Sequence, residues 1–235
     1  RVLDGGVKIP PSEIRVRAED LAAPYTWNSE ISLETSFASG LTLTGSYGFV
    51  RSIHQFRSRN LNAPLDLTAL AGGVLRSCQS DLDNLSCGRP DSTRGNINQL
   101  ESTGVGSDHR LRVGFRKRLS FLNINANYTF SSNYQDSPGN FNLPSDNYDL
   151  DSEWGRSGER NRLNMSANLR MPWNINADTI FNWNTGQPYT LETGRDDNQD
   201  TSTNDRPAGV PRNSLTGPGF FDVNLRLSKA IQLRS

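Results

Sequence analysis

Leu122-Asn123-Ile124-Asn125-Ala126-Asn127-Tyr128-Thr129-Phe130 alternates apolar and polar side chains without a break. Successive side chains of a β-strand point to opposite faces, so this run gives one greasy face and one face of amides and a hydroxyl. The same period recurs upstream. Ile31, Leu33 and Phe37 alternate with Ser32, Glu34 and Ser36. Leu41, Leu43, Tyr47 and Phe49 alternate with Thr42, Thr44, Ser46 and Gly48, and Leu111, Val113 and Phe115 with Arg110, Arg112 and Arg116. Downstream, Leu163, Met165, Ala167, Leu169 and Met171 oppose Asn164, Ser166, Asn168 and Arg170. Ile175, Ala177, Phe181 and Trp183 oppose Asn174, Asn176, Asp178 and Asn182, and Phe221, Val223, Leu225 and Leu227 oppose Asp222, Asn224, Arg226 and Ser228. Helical periodicity is nearly absent. Seven strands are expected, with residues 13–18 as a candidate eighth.

Composition narrows the setting. The 235 residues carry 25 basic and 25 acidic side chains, a net charge of +0, and only 34% are apolar. A neutral chain supplies no basic field for phosphates, so no nucleic-acid partner is expected. No run approaches the roughly 20 apolar residues of a transmembrane helix. Low hydrophobicity would suit a disordered chain if the net charge were high, but the charge is zero and the apolar residues keep a strict period. A β-barrel remains open, because its lipid face uses only alternate positions.

The joins between strands sort by length. Those at residues 38–40, around Ser120, and at Pro172 are tight, whereas those at about 55–106, 131–158 and 185–219 are long and polar. Short joins thus alternate with long ones along an up-and-down meander. Soluble sandwiches have no reason to sort their loops so; bacterial outer-membrane barrels do, with short periplasmic turns and long extracellular loops. Aromatics fit the same frame. Phe37, Phe121 and Trp173 lie by the short turns, and Trp27, Tyr47, Phe49, Tyr128, Phe130 and Trp183 lie toward the long loops, as two interfacial girdles require. The expected fold is all-β: an antiparallel up-and-down transmembrane β-barrel of 7–8 strands in this chain, a single segment over 1–235 that either belongs to a larger or multi-chain barrel or closes with eight strands into one small barrel. The expected location is the bacterial outer membrane, with its lipid as a partner. Both ends look cut from a longer polypeptide.

Runs in the second half carry a family likeness: Asn147-Tyr148-Asp149-Leu150, Glu153-Trp154-Gly155, Pro172-Trp173, Thr185-Gly186-Gln187-Pro188-Tyr189 and Thr193-Gly194-Arg195-Asp196-Asp197-Asn198. Others follow in order: Asn204-Asp205-Arg206-Pro207-Ala208-Gly209, Arg212-Asn213-Ser214, Gly217-Pro218-Gly219 and Leu225-Arg226-Leu227-Ser228-Lys229. By these the chain resembles the TonB-dependent outer-membrane receptors, in particular the Oar-like branch. The resemblance implies a 22-stranded barrel around a plug, and import of scarce nutrients such as metal chelates, cobalamin or glycans, driven by the TonB complex. The pattern departs from the family in showing no plug, no TonB-contacting segment, no final aromatic-ended strand and too few strands. Engagement of the TonB complex is therefore expected only where a plug is present. The alternative is structural: a chain with two free sheet edges could pair with copies of itself into an oligomer, tube or filament.

Individual sites are fewer. Asp196, Asn198 and Asp200 place oxygens at alternate positions, with Asp205 close behind, like the front half of a calcium loop. Thr201 stands where that loop has glycine and Pro207 where it has glutamate, so a solvated acidic loop is the other reading, and no cofactor beyond calcium is expected. Cys78 and Cys87 lie in a polar stretch and would close a disulfide loop in an exported protein, or remain free thiols in a reducing compartment. Arg110, Arg112, Arg116, Lys117 and Arg118 put most of their charge on the polar face, where Asp222 or Asp178 would balance it. No nucleophile elbow, zinc-protease helix or phosphate loop is present, and His54 and His109 stand alone, so no enzymatic activity is expected.

Overall fold

Residues 13–65, 88–91, 93–137 and 139–231 are described by a computed structural model. The strands are β1 (Ile14–Arg17), β2 (Tyr25–Phe37), β3 (Leu41–Asn60), β4 (Ile97–Arg118), β5 (Leu122–Gln135) and β6 (Gly155–Arg156). They continue with β7 (Asn161–Met171), β8 (Ile175–Asn184), β9 (Pro188–Tyr189), β10 (Leu215–Thr216) and β11 (Phe220–Lys229). The main sheet runs β2-β3-β4-β5-β7-β8-β11, every neighbouring pair antiparallel.

Each tight join closes a hairpin for a local reason. Gly40 takes φ +75°, and a Cβ there would strike the Arg118 carbonyl of β4, so only glycine fits this turn. Between β7 and β8, Trp173 and Asn174 adopt left-handed backbone, which leaves the Trp173 ring outside the sheet, 79% exposed.

The long joins begin and end differently from the sequence expectation. β3 continues to Asn60 and β4 starts at Ile97, so the connection expected over 55–106 opens as a tall hairpin and the join itself shortens to residues 61–96. β5 runs to Gln135, and within the expected 131–158 loop β6 pairs with its end. The 185–219 connection contains the small β9–β10 ribbon. Residues 13–18 do form a strand, but β1 lies parallel to β4, Ile14 opposite Ile97, and stands outside the up-and-down meander.

Register aligns the two faces across the sheet. One row reads Leu33, Gly45, Val113, Tyr128, Leu163, Trp183 and Phe221; the adjacent row reads Ser32, Ser46, Arg112, Thr129, Arg162, Asn184 and Phe220. Among the described residues, the only buried apolar side chains are Ala18 and Ala63, while Arg57, Asn60, Glu101, Asn147, Glu153 and Asp200 are buried. This inverts the usual sorting of a soluble domain. The apolar side chains face outward, as they must where the surroundings are hydrocarbon. From Trp27 to Phe37, β2 covers about 33 Å of strand at ~3.3 Å per residue. A tilt of about 40° turns that into an apolar band of ~25 Å, the height of an outer-membrane barrel wall. Among the described residues no helix is long and apolar enough to cross a membrane.

Candidate functional site: a polar face under clasped loops

The polar face carries the basic strand residues. Arg110, Arg112, Arg116 and Arg118 of β4 lie on it, whereas Lys117 falls on the apolar face beside Leu41 and Ile124. Its ammonium reaches the adjacent turn and donates to the Ser39 carbonyl at 2.8 Å, which returns the charge to the interface. The counter-charges are not the expected ones. Arg110 pairs with Asp108 two residues along its own strand, and Arg112 with Glu30 at 3.3 Å. Asp178 instead accepts from the amide of its register partner Asn168, and Asp222 from Asn224 two residues along its own strand, while the β4 arginines stand several strands away. At the loop-proximal end, β4, β5 and β7 enclose a hollow of about 510 Å³ with Gln187 and residues 157–159 at its rim.

Both histidines sit near the girdle. His109 is on the outer face, its Nδ1 2.7 Å from the Tyr47 hydroxyl and its ring against Phe49. His54 occupies a β3 bulge with φ +57° and its Nδ1 lies 3.1 Å from the Ser102 carbonyl.

Above the sheet, three loops are tied by buried polar contacts. Asn60, fully buried, donates its backbone N–H to Asn147 Oδ1 (2.7 Å), and its own Oδ1 accepts from the N–H groups of Asn62 and Ile97. Asn147 then donates to Asp200 Oδ2 at 2.6 Å. The four residues expected to bind calcium do come together, but their oxygens are turned onto the loop's own backbone. Asp196 accepts from the N–H groups of Asp200 and Thr201, Asn198 from Asp200, Asp200 from Ser202, and Asp205 from Asp197 and Asn198. Such Asx turns satisfy the oxygens without an ion. Among the described residues no three His, Cys, Asp or Glu side chains converge to hold a metal. Cys78 and Cys87 lie outside the described residues.

A second cluster escaped the sequence reading. Glu153, 3% exposed, accepts from the Ser145 N–H (3.0 Å) and from Arg206 Nη1 (2.8 Å), with Arg212 Nε 3.8 Å away. Arg212 also donates to the carbonyls of Gln135 and Glu153. Burial lowers the proton affinity of Arg212, and Glu153 opposes that loss. A third cluster braces the tall hairpin, where Arg57 bridges Glu101 (3.1 Å) and Asp136 (3.2 Å). The signal for the Glu153 cluster lay in the runs that carry the family likeness, which hold Asn147, Glu153, Arg206 and Arg212. In the same runs, a Cβ on Gly186 would collide with the Gly217 carbonyl, so that pair of glycines lets two loop strands touch.

The Asp200 carboxyl is raised from 3.8 to about 6, chiefly by burial and further by Asp196 and Asp205, against hydrogen bonds from Ser202 and Asn147 that favour its ionised form. Asp205 is raised for the same leading reason. Arg89 also faces Asp200. Between 3.8 and about 6 the folded loop therefore binds a proton that the unfolded loop has released. The contribution of Asp200 to loop stability is greatest below that window and is lost as pH rises through about 6, by about 3 kcal/mol at most. Amide exchange in residues 196–205, corrected for its intrinsic pH dependence, is expected to slow from about pH 7.5 to about pH 5. Asp200→Asn should flatten that response; a response of the same size in the variant would remove Asp200 as its source.

A strand meander with a lipid-facing apolar band, interfacial aromatics and a polar inner face defines a bacterial outer-membrane β-barrel protein. A family model described as an outer membrane beta-barrel domain matches residues 4–211, and the chain belongs to that family. In fold it is similar to the outer membrane transporter YddB from Escherichia coli, at 10% identity and TM-score 0.55, over 93% of this chain and 27% of that one. The FrpB iron transporter from Neisseria meningitidis is similar in its F5-1 variant apoprotein form (12% identity, TM-score 0.50, 91% and 25%) and in its F3-3 variant (14%, 0.49, 91% and 25%). The chain spans about a quarter of the length of these transporters. No curated protein sequence matches it.

Proposed function

We propose that the chain is one sector of a large transport barrel of the TonB-dependent receptor kind, Oar-like branch, with the polar face lining the passage and the clasped loops meeting a nutrient outside. The strand directions carry this reading. Six antiparallel pairings separate β2 from β11, so the two free edges among the described residues run the same way. Unpaired edges are not tolerated in hydrocarbon. Closing β11 on β2, or on β2 of another copy in the same orientation, would create a parallel seam, whereas bacterial single-chain barrels are antiparallel and even-stranded. An antiparallel closure needs further strands between these edges. That counts against closure of these seven strands alone and against a polymer of this chain. The added strands belong to a larger barrel if the chain is a sector of one, as the similar transporter, matched over 27% of its length, would have it.

The protein as made in the outer membrane tests this with cysteines, scored above the native-cysteine background. Asn164→Cys, on the polar face, is expected to react with a membrane-impermeant thiol reagent, and Leu163→Cys, on the apolar face, to stay unreactive. Cysteines at Leu33 and Leu225, one on each edge, should not cross-link to one another. An intermolecular ladder from them would establish the polymer, and an intramolecular link the small barrel.

A further inference from the structure

The hollow on the polar face has an uneven distribution of charge. Arg112 and Arg162 flank Thr129 in one cross-strand row, and Arg110 stands in the next row out, beside Ser131. With strands ~4.8 Å apart, the backbones of Arg112 and Arg162 are separated by about 10 Å, within joint reach of two long side chains. Arg110 is paired with Asp108, Arg112 with Glu30 and Arg162 with Glu159. The acids that line the hollow are nevertheless withdrawn: the Asp108 and Glu159 side chains are 9% and 17% exposed, against 39%, 46% and 55% for Arg110, Arg112 and Arg162. A guanidinium has five N–H donors, so each pairing leaves donors over. Among the described residues no aromatic ring lines the hollow to stack on a sugar.

We propose that this hollow binds the oxyanion group of an organic solute, a carboxylate or a phosphate, between Arg110, Arg112 and Arg162. The planar guanidinium forks match both groups, and the hydroxyls of Thr129 and Ser131 add neutral donors at the same spot. About 510 Å³ accommodates a ligand of ordinary small-molecule size. Because the hollow lies well inside the loop end of the polar face, the site would select anions at the entrance of the passage. The inference deepens the transport reading and rests on the polar face being the lumen.

The test is calorimetric titration of the detergent-purified protein with citrate, inorganic phosphate and, as a neutral probe, maltotriose. Saturable binding of citrate or phosphate is expected, weakening with added salt. Arg112→Gln and Arg162→Gln should each lower affinity about tenfold, consistent with loss of a charged hydrogen bond. Arg112→Lys should keep the salt dependence with intermediate affinity, and Arg226→Gln, on the polar face away from the hollow, should bind as the parent does. Tighter citrate than phosphate would identify a carboxylate ligand, and the reverse a phosphate. Silence from both anions, or anion binding untouched by both glutamine variants, overturns the site, as does saturable binding of maltotriose alone. Thiol labelling of Asn164→Cys reports on the lumen separately, so a wet polar face without anion binding rejects the site and leaves the transport reading standing.

Discussion

Met165→Arg is expected to destabilise the sheet in lipid by about 2–4 kcal/mol, and Ser166→Arg, one residue away, by less than about 1 kcal/mol. Both positions are on β7, and a strand presents successive residues to opposite faces. Met165 lies in the row Thr35, Leu43, Phe115, Ala126, Phe181 and Val223, inside the apolar band that β7 and β8 bound with Trp183, opposite Leu163, at one end and Trp173 at the other. A guanidinium there must be dragged through acyl chains or must bend the bilayer to reach water. Ser166 sits opposite Asn125 on the polar face, where a charge keeps its hydration. The comparison holds the strand, the depth and the new side chain constant and changes only the face. Equilibrium unfolding of the whole protein in urea, against phosphatidylcholine vesicles, measures both costs. Equal costs would mean that the apolar face is not a lipid face, and the inside-out sorting of the molecule would need another cause.

The alternation was legible because lipid selects side chains on one face only, at every second residue. It blurs where that selection is relaxed. Thr35 and Thr179 lie on the apolar face near the short turns, and Ile180 on the polar face, without disturbing the neighbouring rows. It fails beyond the membrane. From Arg51 to Asn60 and from Ile97 to Gly106 the hairpin continues as a strand pair, but there burial is achieved by charge pairing, as at Arg57 with Glu101, so neither face is uniformly apolar and no period survives. The strand at 13–18 showed its propensity; its parallel place beside β4 is a tertiary fact with no local signal.

The acidic loop shows the same limit at a smaller scale. Spacing brought Asp196, Asn198, Asp200 and Asp205 together on paper and does so in space. The direction of their oxygens depends on backbone turns at Gln199 (φ +60°) and Thr201 (φ +74°), residues that give no advance notice of left-handed geometry. Those turns aim N–H groups at the carboxylates, which an ion would otherwise claim. The Glu153 cluster was hidden for a different reason. Glu153 and Arg206 are 53 residues apart, and no spacing rule links them.

Glu153→Ala is expected to open the loop clasp, at a cost of about 3–5 kcal/mol to its local stability. The reason is asymmetry. As a pair, a buried carboxylate and guanidinium offset one another's desolvation; alone, each is a charge without a counter-ion in a poorly hydrated site. Removing Glu153 strands both Arg206, whose side chain is 9% exposed, and Arg212, at 11%. It also takes the acceptor from the Ser145 N–H. Arg212, whose proton affinity burial already lowers, would lose the charge that opposes the effect. The β-sheet does not depend on this contact, so the loss should appear as faster proteolysis and amide exchange in residues 139–150 and 195–212, with the strands still protected. Glu153→Gln keeps the oxygen acceptor and loses the charge, and should fall between parent and alanine. Removing Arg206 as well takes away part of the stranded charge, so Glu153→Ala with Arg206→Ala should cost less than the two single changes together by more than about 1 kcal/mol. Strict additivity would show that the two groups do not sense one another, and the clasp would then be held by its backbone hydrogen bonds alone.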